Sequence, residues 1–216
     1  VSISPFDEYA DKYDVWYDGE GKILYENEIK CVKKLLNGCE GKALEVGVGT
    51  GRFAILSKNI VGVDISFQPL KIAKKREIPV IQANAEALPF KSEIFSCVMM
   101  IVTICFLKNP LKALKETYRV LKKDGKFIIG AVFRDSLWGK FYEEKKTQGH
   151  PFYSVAKFYD FQEFKKITYE SGFKIKKIFG TLKYSTPEYH QIEDAFELNN
   201  DTQISNFGFL CIELVK

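Results

Sequence analysis

Residues Ala43–Phe53 read ALEVGVGTGRF. A short apolar run, Ala43-Leu44-Glu45-Val46, enters three alternating glycines, Gly47, Gly49 and Gly51, and Arg52-Phe53-Ala54-Ile55-Leu56 can open a helix behind them. Strand, glycine loop and helix in that order are the setting of a nucleotide site. The glycines allow a sharp turn and a close approach of backbone to ligand. Two details narrow the ligand. The spacing is G-x-G-x-G, not the G-x-G-x-x-G of dinucleotide binders, and the Glu45 carboxylate precedes the loop. A carboxylate would repel a pyrophosphate there, whereas it would attract a ligand bearing an ammonium and a sulfonium.

The downstream sequence extends the pattern. Val61-Gly62-Val63-Asp64 is a second apolar run ending on an acid, seventeen positions after Gly47. An acid near that distance commonly accepts hydrogen bonds from ribose hydroxyls. Pro79 to Phe90 follows as PVIQANAEALPF, then a long apolar strand from Phe95 to Leu107, then Asn109-Pro110 opening a helix, and then the turn of Arg119 to Phe127. Proline is tolerated in a first helical turn, which makes Asn109-Pro110 a good start signal.

Together these motifs resemble a class I S-adenosylmethionine (SAM)-dependent methyltransferase, of the broad small-molecule group that includes the ubiquinone and menaquinone methyltransferases. The likeness runs from Tyr9 to Phe133. It implies an α/β fold: a Rossmann-like, doubly wound sheet of seven mostly parallel strands with the last antiparallel. The cofactor it implies is SAM, with no metal. Glu45 is then expected near the methionine amino group, with Gly47, Gly49 and Gly51 letting the backbone approach. The alternative for that stretch is a structural turn. Asp64 is expected on the ribose, or else as a helix cap, a role Ser66 could take instead. Ile65 can pack on the adenine face, Asn84 stands where the family often carries an aspartate for the adenine amino group, and Ala85 and Ile101 complete the set. The Asn84 carbonyl can accept the same hydrogen bond. Glu86 reads equally as a site residue or a solvated loop acid. Ser96 and the pair Cys105-Phe106 depart from the family pattern, which removes an obvious base. Cys105 reads as core.

The alternation of strands near 43–47, 60–64, 78–82, 94–101 and 126–133 with helices near 51–58, 67–76 and 109–122 predicts parallel strands and right-handed crossovers. Lys22 to Leu36 reads as an amphipathic helix closed by Asn37-Gly38. Asp160 can cap a helix to Ser171, and strands are expected at 173–182 and 207–215. Pro187 to Asp201 is acidic and expected to be an exposed excursion. The whole chain, 1–216, reads as one domain. The aromatic segments 1–20 and 134–160 are expected as lid and acceptor-site elements, with Tyr13 and His150 as candidate catalytic groups and Tyr142 and Tyr153 beside them.

Composition bounds the rest. The chain has 216 residues, 46% hydrophobic, with 32 basic against 28 acidic residues and a net charge of +4. The lysines are spread along the chain, which favours a solvated surface over a nucleic-acid patch. The five cysteines include no C-x-x-C and there are two histidines, so no zinc cluster is expected. Cys97 and Cys211 lie in apolar runs, where a free thiol acts as a small hydrophobe. These features, and the lack of a signal pattern in residues 1–14, lead to the expectation of a soluble cytoplasmic protein without a membrane span. The expected function is methyl transfer by in-line displacement to a small, apolar or aromatic acceptor. Rival readings are a nucleic-acid or protein methyltransferase on the same fold, and a SAM-binding regulatory protein without turnover. The acceptor and the oligomeric state are not legible.

Overall fold

A computed structural model describes residues 4–39, 41–199 and 201–216. One sheet runs through it, in the order β3-β2-β1-β4-β5-β8-β6-β7. Its strands are β1 (Ala43–Val46), β2 (Ile60–Asp64), β3 (Val80–Gln82), β4 (Phe95–Ile101), β5 (Leu121–Ala131), β6 (Lys174–Thr181), β7 (Phe196–Glu197) and β8 (Phe209–Val215). The first five pair in parallel. β8 inserts antiparallel between β5 and β6. The expected seven-stranded sheet is therefore present with one addition. The two-residue β7 pairs Gly180↔Phe196 and Phe179↔Glu197 at the edge, a contact too short to leave a periodic trace in sequence.

The helices are α1 (Pro5–Glu8), α2 (Ala10–Trp16), α3 (Lys22–Lys33), α4 (Phe67–Lys75), α5 (Pro110–Val120), α6 (Leu137–Thr147) and α7 (Phe161–Glu170). Successive strand residues serve opposite faces. In β4, Val98 and Met100 join one core, shared with Leu114 of α5 and Phe164 of α7. Cys97, Met99 and Ile101 join the other, shared with Leu24 and Val32 of α3. Covering both faces explains why these strands are apolar throughout. Asp160 caps α7 with a complete capping box to Glu163.

Three expectations are corrected. Residues 51–58 form only a 3-10 turn over Ala54–Leu56. The Tyr25 hydroxyl donates to the Arg52 carbonyl at 2.6 Å, and Leu56 and Ser57 bond three residues back. The connection from Gly51 to Ile60 is too short to hold a packed crossover helix. Within 134–160, for which no regular element is expected, helix α6 forms and is capped by the Ser136 hydroxyl accepting from the Gly139 N–H, which adds to the expectation without correcting it. Cys97 is not a free thiol: the turn before β1 brings Cys39 beside it, and the two are joined in a disulfide with Cα atoms 5.4 Å apart. The acidic stretch after Pro187 is docked, not free. Glu193 is buried and accepts from the N–H groups of Lys183, Tyr184 and Ser185. Buried Asn27 of α3 bonds both Gln191 and Glu193.

Candidate active site

The sheet order reverses between β1 and β4, and open α/β sheets bind ligands beside the carboxyl ends of strands at such a point. The glycine loop leaves β1 there. Gly47, Gly49 and Gly51 have φ of 75°, 51° and 85°, the left-handed region glycine occupies freely. A Cβ at Gly47 would lie 2.2 Å from Thr103 Cγ2, and one at Gly51 would lie 3.2 Å from Ala73 Cβ. Nothing lies within 4 Å of the Cβ position at Gly49. The first and third glycines thus serve close packing, and the second leaves an open cradle.

Two carboxylates stand at the loop, Glu45 two residues before Gly47 and Asp64 bonded to the Gly49 N–H. Glu45 is 1% exposed, and its Oε2 is buried without a hydrogen-bond partner. Burial, and then the charge of Asp64, push its carboxyl well above the ordinary value. Asp64 ends β2 and braces the loop: Oδ2 accepts from the Gly49 N–H at 2.8 Å, Oδ1 from the Ser66 N–H at 2.9 Å. Burial raises its pKa while these backbone donors oppose the rise. Ser66 holds the N-cap position of α4 without capping through its side chain. An orphaned buried carboxylate oxygen beside an open glycine cradle is the complement of a cationic ligand, and these residues fit SAM's ammonium and sulfonium.

The other sequence candidates fall around this point. Ile65 is 65% exposed next to Asp64, an apolar face free for a planar partner. Asn84 Oδ1 accepts from the Glu86 N–H, closing its own turn. Glu86 in turn accepts from the Asn109 N–H and ties this loop to the start of α5. Ala85 is half-buried against the core. Ile101 is buried at the end of β4, and its carbonyl accepts from Thr103 Oγ1. Val102 follows with φ 50°, an unusual conformation for a β-branched residue, of the kind that concentrates at functional sites.

Beyond Val102 lies a cavity of about 600 Å³. Val102, Ile104 and Cys105 form one wall, and Thr103 between them reaches the Gly47 carbonyl. Opposite walls come from α2, α6 and residues 150–153. Phe6 and Tyr13 meet Phe152 at ring-centroid distances of 5.2 and 5.1 Å, so the N-terminal segment and the segment after α6 close over one space. Arg52 fastens α2 to the glycine loop, through Asp14 at 2.9 Å and Asp18 at 2.6 Å, while Arg76 takes the other Asp14 oxygen.

Tyr13 and His150 both line this cavity. The Tyr13 and Tyr17 hydroxyls share a hydrogen bond of 2.8 Å, and burial pushes the Tyr13 phenol up, which makes it a poor proton acceptor. His150 stacks on Tyr153 at 4.4 Å; burial and then Lys145 lower its pKa. The cavity also contains an acid missed in the sequence. Glu28 of α3 faces it, and burial pushes its carboxyl up to about 8. The signal was available: Leu24, Glu28, Val32 and Leu35 fall on one helical stripe, and an acid on an apolar stripe is an anomaly. Among the described residues no group of His, Cys, Asp and Glu could hold a metal, and no helix is long and apolar enough to cross a membrane.

Comparison with known proteins agrees with this geometry. Residues 44–129 match the family described as a methyltransferase domain. An uncharacterized protein of Methanocaldococcus jannaschii is 44% identical over 214 residues, covering 99% of this chain and 100% of that relative. A demethylmenaquinone methyltransferase of Renibacterium salmoninarum is 32% identical over 147 residues, 63% of this chain but 60% of the relative. A crystal structure from Thermotoga maritima, described as a SAM-dependent methyltransferase and possible histamine N-methyltransferase, superposes with a TM-score of 0.88 at 37% identity, covering 98% of each chain.

Proposed function

The chain belongs to the SAM-dependent methyltransferases, and we propose that it methylates a small, apolar or aromatic molecule held in the cavity beyond Val102. The observation that carries this reading is the continuity of wall from the glycine loop, through Thr103, to an aromatic cavity of about 600 Å³, a size suited to a small organic ligand. When bound, SAM supplies a methyl group already activated on a sulfonium, for transfer by in-line displacement. In this reading Glu45 and the Gly47–Gly51 loop hold the methionine end, Asp64 the ribose, and Ile65, Asn84 and Ala85 the adenine. Ile101 closes the strand against which they are aligned. The protein's task is then alignment and exclusion of water. Residues 1–216 form one domain in this reading, with 1–20 and 134–160 as the elements that enclose the acceptor. Enclosure by aromatic side chains argues against a nucleic-acid or protein acceptor, which needs an open approach.

The test is turnover. Incubation with SAM and a metabolite extract should yield S-adenosylhomocysteine with the wild type and none above background with Gly49→Val. Binding without any turnover would instead support the regulatory reading. Adenine recognition has its own test. Asn84→Asp keeps an acceptor and should bind S-adenosylhomocysteine normally, whereas Asn84→Leu should lose roughly 1–3 kcal/mol through an unpaired donor. Calorimetry showing equal affinity for both variants would remove Asn84 from the site.

A further inference from the structure

We infer that Glu28 selects the acceptor: the cavity takes an aryl-alkyl amine, whose ammonium is held by the Glu28 carboxylate among tyrosine rings and yields its proton to that carboxylate. The inference deepens the acceptor reading above and rests on it.

The first ground is an imbalance of charge. Glu28 lines the cavity, and among the described residues it has neither a hydrogen-bond partner nor an ion pair. A desolvated carboxyl without a partner is costly, and a protein that carries one has left the partner to something else. The lysines at the cavity wall do not fill the role. Lys12 Nζ lies over the Tyr9 ring at 5.5 Å, and Lys145 Nζ over the Phe141 ring at 5.3 Å.

The second ground is the company Glu28 keeps. Its charge bears on the phenols of Tyr13 and Tyr17 from α2, Tyr142 from α6, Tyr153 from the segment after α6, and the Cys211 thiol of β8. Burial raises the pKa of every one of these groups, so none competes with Glu28 for a proton at neutral pH. Glu20, His150 and His190 also line the cavity. Tyr142 and Tyr153 stack at 4.5 Å, and Tyr13 meets Tyr17 edge-on at 5.2 Å. Aromatic faces around a carboxylate attract a cation doubly, whereas a neutral carbonyl or alcohol gains nothing from the ring faces.

The third ground is chemical. An alkyl amine arrives at neutral pH as an ammonium with no lone pair to donate. It becomes a nucleophile only when an N–H bond breaks and the proton passes to a nearby base. The Glu28 carboxylate, left ionised when the ammonium docks, lines the same cavity and is the base placed to receive that proton. The electron pair left on nitrogen then forms the bond to the methyl carbon, and the carbon–sulfur pair departs with sulfur. The methylated product carries the positive charge, and the Glu28 acid returns its proton to solvent.

The experiment is calorimetry with S-adenosylhomocysteine first, then with phenethylamine or its neutral counterpart 2-phenylethanol added to the saturated protein. The wild type should bind the amine at least ~10-fold more tightly than the alcohol. At pH 7 the heat should vary with the ionisation enthalpy of the buffer, because docking the ammonium drives the carboxyl proton into solvent. Glu28→Gln, verified as folded by unchanged S-adenosylhomocysteine affinity, should lose both the amine preference and the proton release while binding the alcohol as before. Equal affinity for amine and alcohol in the wild type, no amine binding at all, or a preference that survives in Glu28→Gln overturns the inference and leaves the methyltransferase site intact. Failure of the wild type to bind S-adenosylhomocysteine overturns the site reading itself, and the inference with it. Should Glu28→Gln misfold, Glu28→Ala decides: loss of the amine preference and of the proton release in a folded protein supports the inference, and their retention overturns it.

Discussion

Gly49→Val should abolish binding of S-adenosylhomocysteine while leaving the protein folded. The two effects separate because of the local geometry. Gly49 has φ 51°, so valine there carries a backbone cost of roughly 1–3 kcal/mol. No atom lies within 4 Å of the new Cβ, so no clash adds to it. The isopropyl group instead occupies the open side of the loop, where the proposed reading puts the ligand's methionine end. Loss of more than ~100-fold in affinity is the expected result, since the clash falls on the ligand and not on the fold. Gly47 offers the contrast. Its Cβ would strike Thr103 Cγ2 at 2.2 Å, so Gly47→Val should fail in the melt as well as in the titration. Normal S-adenosylhomocysteine binding by a folded Gly49→Val protein would show that the ligand lies elsewhere.

The glycine loop was legible because its signal is local. Glu45, three glycines and Asp64 each declare a backbone or charge requirement within a few residues, and β1, β2 and β4 declare their burial by continuous apolar runs. What escaped depended on distant partners. Asn27 reads as an ordinary polar helix residue until Gln191 and Glu193, more than 160 positions away, come to bond it. Arg52 looks like the first residue of a helix, but Asp14 and Asp18 draw its guanidinium toward α2 and Tyr25 takes its carbonyl. The helix expected from 51 to 58 is thereby reduced to a 3-10 turn. Glu28 lies between these cases. Its place on the stripe of Leu24, Val32 and Leu35 was visible, yet only the packing of α2 and α6 turns that stripe into the wall of a cavity. Tyr13 and His150 drew notice as familiar acid–base side chains. The structure brings both to the same cavity but leaves the phenol too reluctant to ionise to serve as a base.

Glu45→Gln should make the free protein more stable and the ligand weaker, opposite signs from one atom exchange. Glu45 is buried, its Oε2 has no partner, and its carboxyl is raised well above its ordinary value of 4.5, first by burial and then by Asp64. An acid with a raised folded pKa loses its proton first in the unfolded chain. Stability from this group is therefore intact below about 4.5 and declines as pH rises toward the folded pKa. A neutral amide has no such titration. The variant should gain about 1–3 kcal/mol at pH 8, and the decline with pH should flatten. Binding moves the other way. In the proposed reading the ammonium of the methionine end pairs with the buried charge, and removing that charge should cost roughly 2–5 kcal/mol of affinity. Thermal melts from pH 5 to 9, with and without S-adenosylhomocysteine, read both quantities from one sample. A variant that melts lower than the wild type would mean that the carboxyl is paired in the free protein, and one that binds equally well would remove Glu45 from the methionine end. The strain at Glu45 is in this account the reason the site discriminates: the fold carries an unpaired acid that a phosphate-bearing nucleotide would worsen and a SAM ammonium relieves.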